Sequence, residues 1–244
     1  MEGDADIAAV AALMGEPSRA AVLMALIGGR ALAASTLAVE AGVAPSTLSG
    51  HLARLVDGGL ISVEPSGRHR YFRLANPEVA QAVEALARVA PSRPIRSLRQ
   101  ATHASAIRRA RSCYDHLAGR LGVAICDSLI SKEIVKPQAK PDMAADPIIG
   151  AGRFYQYFIT EYGKEWLKGF GVELDQTSRR PTVLYCLAWS EQRPHLGGRL
   201  GEFLLSRFIA LGWILQAEPR VIRITKDGQI GLSQEFGVDP TILE

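Results

Sequence analysis

The stretch His116-Leu117-Ala118-Gly119-Arg120-Leu121-Gly122 returns 79 residues later as His195-Leu196-Gly197-Gly198-Arg199-Leu200-Gly201. Each copy runs on into an apolar helical segment, ICDSLISKEIV in the first and FLLSRFIALGWI in the second. Each then reaches a strand-like run ending Ile-Thr-x-x-Gly (Ile159 to Gly163, Ile224 to Gly228) and closes on Phe-Gly-Val, at 170–172 and 236–238. The Ile-Thr offset is 65, and the shortfall of 14 matches a Pro-rich stretch, Lys136 to Pro147, read as a loop inserted in the first copy. A repeat at this period predicts one supersecondary unit built twice. The expectation is two helix–hairpin units, winged-helix-like, over about 107–175 and 186–240, related by a pseudo-twofold axis. Facing half-sites across such an axis are a natural place for a pocket.

The first third of the chain has a different pattern. Glu16-Pro17-Ser18-Arg19 opens a helix, with Pro17 in its first turn and Gly28-Gly29 as its stop. Ser35 to Ala41 makes a short helix that ends at Gly42, and Pro45 starts another that runs to about Val56. Two short helices joined by a Gly-containing turn predict a helix-turn-helix. In the second of them Leu48, Leu52 and Leu55 form one apolar stripe, leaving Ser46, Thr47, Gly50, His51 and Arg54 on or near the other face. Short polar groups followed by a guanidinium suit base edges and phosphates in a major groove. Leu60 to Glu64, a turn at Pro65-Ser66-Gly67, and Arg68 to Leu74 read as a hairpin whose Arg68 and Arg70 would meet the sugar–phosphate backbone.

Pro91 and Pro94 break the pattern after an Ala-rich helix from about Pro77 to Arg88, which places a boundary there. The expected domains are 1–90, a winged helix-turn-helix, and 95–244, a sensing half; the fold class is mainly α with short β-hairpins. The net charge of +3 diagnoses nothing by itself, and residues 1–90 hold seven Arg against nine acids. Residues 93–111 hold Arg93, Arg96, Arg99, Arg108, Arg109 and Arg111 with no acid, either a solvated helix face or a phosphate-facing stripe.

The segments EPSRAAVLMALIGG and VAPSTLSGHLARLVDGGLISVEPSGRHRYFRL resemble the ArsR/SmtB family of winged-helix repressors over residues 5 to 88. The resemblance implies that Ser46, Thr47, Ser49, His51 and Arg54 belong to a DNA-reading helix and that Arg68 and Arg70 sit on the wing. It also implies a homodimer built by the flanking helices, Ile7 to Met14 and Pro77 to Arg88, on a near-palindromic double-stranded operator. The metal-sensing members carry a cysteine motif in the first helix of the helix-turn-helix; here that stretch is LAASTLAVEAG, so that metal site is not carried over. Cys113 to Gly119 and Cys186 to His195 are similar to segments of longer ArsR-like regulators, a likeness that brings no ligand with it.

Cys113 and His116 lie three apart, on one face of a helix if the segment is helical. Together with Cys186 and His195 they could make a tetrahedral zinc site. The spacing from Cys186 to His195 is nine, which argues against ligand sets related by the repeat. On the alternative reading, His116 and His195 cap the Gly-rich helix turns and the cysteines are core residues, or a thiol reacts with oxidants or electrophiles. No cofactor is required on this reading. Trp166, Trp189 and Trp213, with Phe154, Tyr155, Tyr157 and Phe158, fill a core or line an effector pocket, for which Tyr114 and Trp189 are the candidates. The effector would be a metal, a thiol-reactive compound or an organic small molecule.

The three cysteines make no CxxC pair, no apolar run reaches the roughly 20 residues of a membrane helix, and the first residues are acidic, so the cytoplasm is expected with no membrane partner. No phosphate-binding Gly loop, nucleophile elbow or Walker loop is present, so no enzyme class is expected. The sequence thus reads as a DNA-binding transcriptional regulator, with a winged-helix interaction scaffold or an enzyme of unrecognised type as the alternatives.

Overall fold

Glu16 and Pro17 start the first core helix: the Glu16 carboxylate accepts from the Ser18 and Arg19 amides, and Pro17 occupies a position whose N–H would have no helical partner. The computed structural model describes residues 4–66, 69–91, 98–139, 155–174 and 180–243. The chain divides into two compact units, Met1–Val89 and Ala90–Glu244. Among the described residues no single helix is long and apolar enough to cross a membrane.

The N-terminal unit contains α1 (Ile7–Met14), α2 (Pro17–Leu26), β1 (Leu32–Ala33), α3 (Ala34–Ala41), α4 (Pro45–Asp57), β2 (Ile61–Ser66), β3 (His69–Leu74) and α5 (Pro77–Val89). The buried Arg19 side chain donates to the Leu13 and Ala12 carbonyls, tying the end of α1 to α2. Helix α3 ends at Gly42, whose φ of +67° is the left-handed conformation glycine adopts at low cost. Val22, Leu23, Leu26, Leu37, Leu48 and Leu55 fill the centre of the unit. The sheet has the order β1-β3-β2, all antiparallel.

Two details depart from expectation. The two-residue strand β1 was not anticipated; it is too short to have a period. Pro65 and Ser66, expected in the turn, belong to β2, because pairing continues through Pro65↔Arg70 and Ser66↔His69. Pro65 can stand there because β2 is an edge strand and has no further partner to donate to.

The C-terminal unit opens with α6 (Leu98–Arg109), and the same element order then runs twice. The first run is β4 (Arg111–Cys113), β5 (His116–Ala118), α7 (Gly119–Ser131), β6 (Val135–Ala139), β7 (Tyr155–Ile159) and α8 (Glu161–Gly169). The second is β8 (Leu184–Ala188), β9 (Arg193–Gly197), α9 (Gly198–Ala210), β10 (Ile214–Gln216), β11 (Ile222–Ile224) and α10 (Lys226–Phe236), followed by α11 (Pro240–Leu243). Each run has a hairpin before its long helix as well as after it. The stretch read as a Pro-rich loop from Lys136 begins instead as β6: Lys136 pairs with Phe158 and Pro137 with Tyr157.

The repeated residues have matching jobs. Gly163 and Gly228 amides each donate to the hydroxyl of the Thr three residues earlier, Thr160 and Thr225. A Cβ at either glycine would lie against a carbonyl oxygen, that of Ile134 at 2.1 Å or of Trp213 at 2.0 Å. Leu117, Leu121, Ile125 and Leu129 of the first run, and Leu196, Leu200, Leu204 and Phe208 of the second, join one shared core. Helix α7 packs on β9 while α9 packs on β5, so each run covers the other. Trp166, Phe170, Phe208, Trp213 and Phe236 are in mutual ring contact, so these aromatics fill a core.

Candidate DNA-reading face and Cys/His cluster

Helix α4 buries Leu48, Leu52 and Leu55 and leaves Ser46, Thr47, Ser49 and Arg54 exposed. Ala44, the residue before it, caps nothing with its side chain, so the first amides of α4 receive no side-chain cap from it. The Ser49 hydroxyl donates to the Pro45 carbonyl. His51 departs from the expected outward position: it is half-buried, with Nδ1 3.3 Å from the Glu16 carboxylate at the start of α2. Burial alone would raise the Glu16 carboxyl, but the Ser18 and Arg19 amides and His51 hold it below its ordinary 4.5. On the wing Arg70 is exposed, and Arg73 is paired with Glu64 across the hairpin at 2.9 Å. Arg68 lies outside the described residues, as do Arg93, Arg96 and Phe154.

The second site is in the C-terminal unit. Cys113 and His116 do not share a helix face: they are a directly opposed pair across the β4–β5 hairpin, whose tight turn places Tyr114 at φ +59°. Cys186 and His195 are the corresponding opposed pair across β8–β9. The unequal spacing therefore does not set the two Cys/His pairs apart. The second hairpin runs on past this pair for two more paired positions and a longer turn, with no different register, so both Cys/His pairs occupy the same place in the two runs.

The two hairpins bring the four side chains together. Their ligand atoms all lie within 4.8 Å of one another. The sulfurs of Cys113 and Cys186 are 3.9 Å apart, and the Nε2 atoms of His116 and His195 are 3.2 Å apart. Neither histidine caps the following helix, since α7 and α9 begin without a side-chain cap. Cys126 is the core thiol of the set, fully buried in α7, and burial pushes it up to about 12.

Around the cluster, His116 Nδ1 lies 3.2 Å from an oxygen of Asp115, whose other oxygen pairs with Arg180 at 2.6 Å. Arg180 also holds Glu202 at 2.7 Å. Burial opposes ionisation of Asp115, yet His116 and Arg180 keep its carboxyl below the usual range. Burial likewise opposes charge on His116, but the Cys113 sulfur and the Asp115 carboxylate raise it to about 9. Burial lowers His195, with His116 and Arg111 acting in the same direction. His195 Nδ1 is buried without a hydrogen-bond partner among the described residues.

Arg111 is not on a solvated or phosphate-facing stripe. It is fully buried in β4, donates to the Ser190 hydroxyl at 2.7 Å and sits 4.8 Å over the Trp189 ring. The guanidinium thus occupies one face of the Trp189 ring. A surface hollow of about 520 Å³ is lined instead by Lys132, Glu133, Lys136, Thr160 and Tyr162, and a void of about 10 Å³ by Leu117, Gly122, Ile125, Leu196, Gly201 and Leu204. Asp115 is missing from the sequence reading of the cluster although its place next to His116 is a local signal; Arg180, 65 residues away from Asp115, gives none.

Comparison with known proteins bears on both units. A helix-turn-helix domain profile matches residues 14–64. The chain is 36% identical over 236 residues to an uncharacterized HTH-type transcriptional regulator, YdfF, of Bacillus subtilis (strain 168), covering 96% of this chain and 98% of that protein. Among solved structures it is similar to a predicted DNA-binding transcriptional regulator from E. coli (30% identity, TM-score 0.32, 34% of this chain and 87% of that one). It is also similar to the homodimeric winged helix-turn-helix domain of Mb0332 from Mycobacterium bovis, described as a candidate ArsR-family regulator (26%, TM-score 0.31, 35% of this chain and 86% of that one). With the B. subtilis relative matched along nearly the full length of both proteins, the chain belongs to the helix-turn-helix-type transcriptional regulators.

Proposed function

We propose that the chain is an ArsR-like homodimeric repressor that binds a near-palindromic operator and is controlled by an effector in its C-terminal unit. The observation that carries this reading is the division of α4: three leucines inward, and Ser46, Thr47, Ser49 and Arg54 outward, with Arg70 exposed on β3 of the same unit. The hydroxyls and the helix N-terminus meet base edges and phosphates, while Arg54 and Arg70 engage the backbone. His51 acts through Glu16, holding α4 against the start of α2, rather than by reaching a base. Arg68, which the resemblance puts on the wing, belongs to the same backbone contact.

Dimerisation is supported by apolar side chains left exposed on the flanking helices: Ile7 and Val10 on α1, Leu86 and Val89 on α5. Residues of this kind on elements outside the helix-turn-helix suit a second copy better than water. An effector that favours one spacing of the two reading helices shifts the DNA-competent population. Such a regulator works in the cytoplasm without turnover of a substrate.

The test is a titration of the full chain with DNA from upstream of its own gene, at several salt concentrations. Arg54→Ala and Arg70→Ala are expected to weaken binding and each to reduce the salt slope by about one if it neutralises a phosphate. Binding indifferent to both substitutions and to salt would favour a winged-helix interaction scaffold.

A further inference from the structure

We propose that Cys113, His116, Cys186 and His195 form a closed tetrahedral site for one thiophilic divalent cation of the zinc class, which joins the two hairpin–helix runs of the C-terminal unit. A zinc ion with sulfur at about 2.3 Å and nitrogen at 2.0–2.1 Å sets tetrahedral edges of about 3.8 Å between sulfurs and about 3.3 Å between nitrogens. The corresponding distances here are 3.9 Å and 3.2 Å. The sulfur pair and the nitrogen pair therefore stand close to their liganded separations, with all four donor atoms within 4.8 Å of one another.

The donor chemistry selects the ion. Two sulfurs and two imidazoles favour zinc-like cations over magnesium or calcium, which take oxygen. Binding displaces to solvent the protons of both thiols and the proton that a charged His116 carries on Nε2; two thiolates and two neutral imidazoles then balance the divalent charge, leaving a neutral centre. That balance matters because Cys113, His116 and His195 are all buried. Four protein donors leave no open position for a reacting water, so the ion holds structure rather than performing hydrolysis.

A supporting shell is already in place on one side. With His116 Nε2 turned to the ion, its Nδ1–H donates to Asp115, and Arg180 anchors that carboxylate from the other oxygen. Carboxylate–histidine pairs of this form orient metal-bound imidazoles. One donor pair comes from β4–β5 and the other from β8–β9, so occupancy resists separation of the two runs. The ion's service as the effector of DNA release rests on the regulator reading above; its binding does not.

The full chain, reduced and stripped of metal, is titrated with cobalt(II). One equivalent is expected, with the intense visible bands of four-coordinate cobalt and a thiolate-to-cobalt charge-transfer band, all abolished by zinc. Cys113→Ser and His195→Gln are expected to weaken uptake by at least the roughly 10–100-fold that losing a supporting partner costs. Cys126→Ala, which removes a thiol outside the cluster, leaves the spectrum unchanged. A weak six-coordinate spectrum overturns the site, as does uptake indifferent to Cys113→Ser. So does a chain that takes no cobalt while a mild oxidant joins Cys113 to Cys186. Operator binding by the same samples separates the two readings. If cobalt binds and DNA affinity ignores both zinc and chelator, the effector role falls while the site stands. If no DNA binds at all, the regulator reading falls and the cobalt spectrum still decides the site.

Discussion

Gly201 lies directly beneath His116: a Cβ at Gly201 would come 2.8 Å from the His116 Cβ and 2.3 Å from the Leu196 carbonyl oxygen. The relation is reciprocal, since a Cβ at Gly122 would meet the Leu117 carbonyl oxygen at 2.5 Å and the His195 Cβ at 3.7 Å. These glycines set how closely each long helix approaches the opposite histidine. Gly201→Ala is therefore expected to destabilise the C-terminal unit by about 1–3 kcal/mol, the usual cost of overpacking. Gly122→Ala, tighter against backbone than against His195, costs stability with less displacement of the cluster. Urea unfolding followed by the tryptophans, all of which lie in this unit, measures both; unchanged midpoints would refute the close packing.

Asp115 should matter through His116 alone. Asp115→Asn keeps a hydrogen-bond acceptor but removes the charge that orients and polarises the ring, so cobalt affinity should drop by about 10–100-fold while the four-coordinate spectrum keeps its shape. A change of band pattern would mean that Asp115 is itself a ligand, and unaltered affinity would remove it from the supporting shell.

Glu16 supplies an acid-sensitive element of the N-terminal unit. Its folded value lies below 4.5, so its stabilising contribution is complete above the unfolded value and is lost as pH falls through the lower folded one. Glu16→Gln should flatten that acid limb. Unfolding midpoints of wild type and variant, taken in steps downward from pH 5, check this; parallel curves would show that the carboxylate does not cap α2.

Thr160 and Thr225 are equivalent caps. Each accepts from a glycine amide and donates to a carbonyl of the preceding turn, Glu133 or Gly212, at 2.7 Å. Thr160→Val and Thr225→Val should each cost on the order of 1 kcal/mol, with similar values at the two sites. A cost at one site only would show that the two runs do not use the motif alike.

Local signals carried the N-terminal unit. The stripe Leu48, Leu52 and Leu55, the stop at Gly42 and the start at Pro45 depend on side chains a few residues apart, and periodicity and capping report such relations directly. The same local reading failed at His51, because the carboxylate that engages it stands 35 residues earlier in the chain. It failed at Arg111 as well: within an acid-free run that residue looks solvated, yet β4 carries it inward to Ser190 and Trp189.

The amino-acid order alone determined where α2, α3 and α4 begin and end, that one motif occurs twice, and that two cysteines and two histidines accompany it. Only the tertiary structure decided that these four converge. Spacings of three and nine residues look unrelated until strand register puts both pairs directly across a hairpin, and the length of hairpin beyond the pair is free to vary while register is not. Periodicity acts over one or two turns of chain; the meeting of residues more than 70 positions apart depends on how helices and hairpins pack over a shared core.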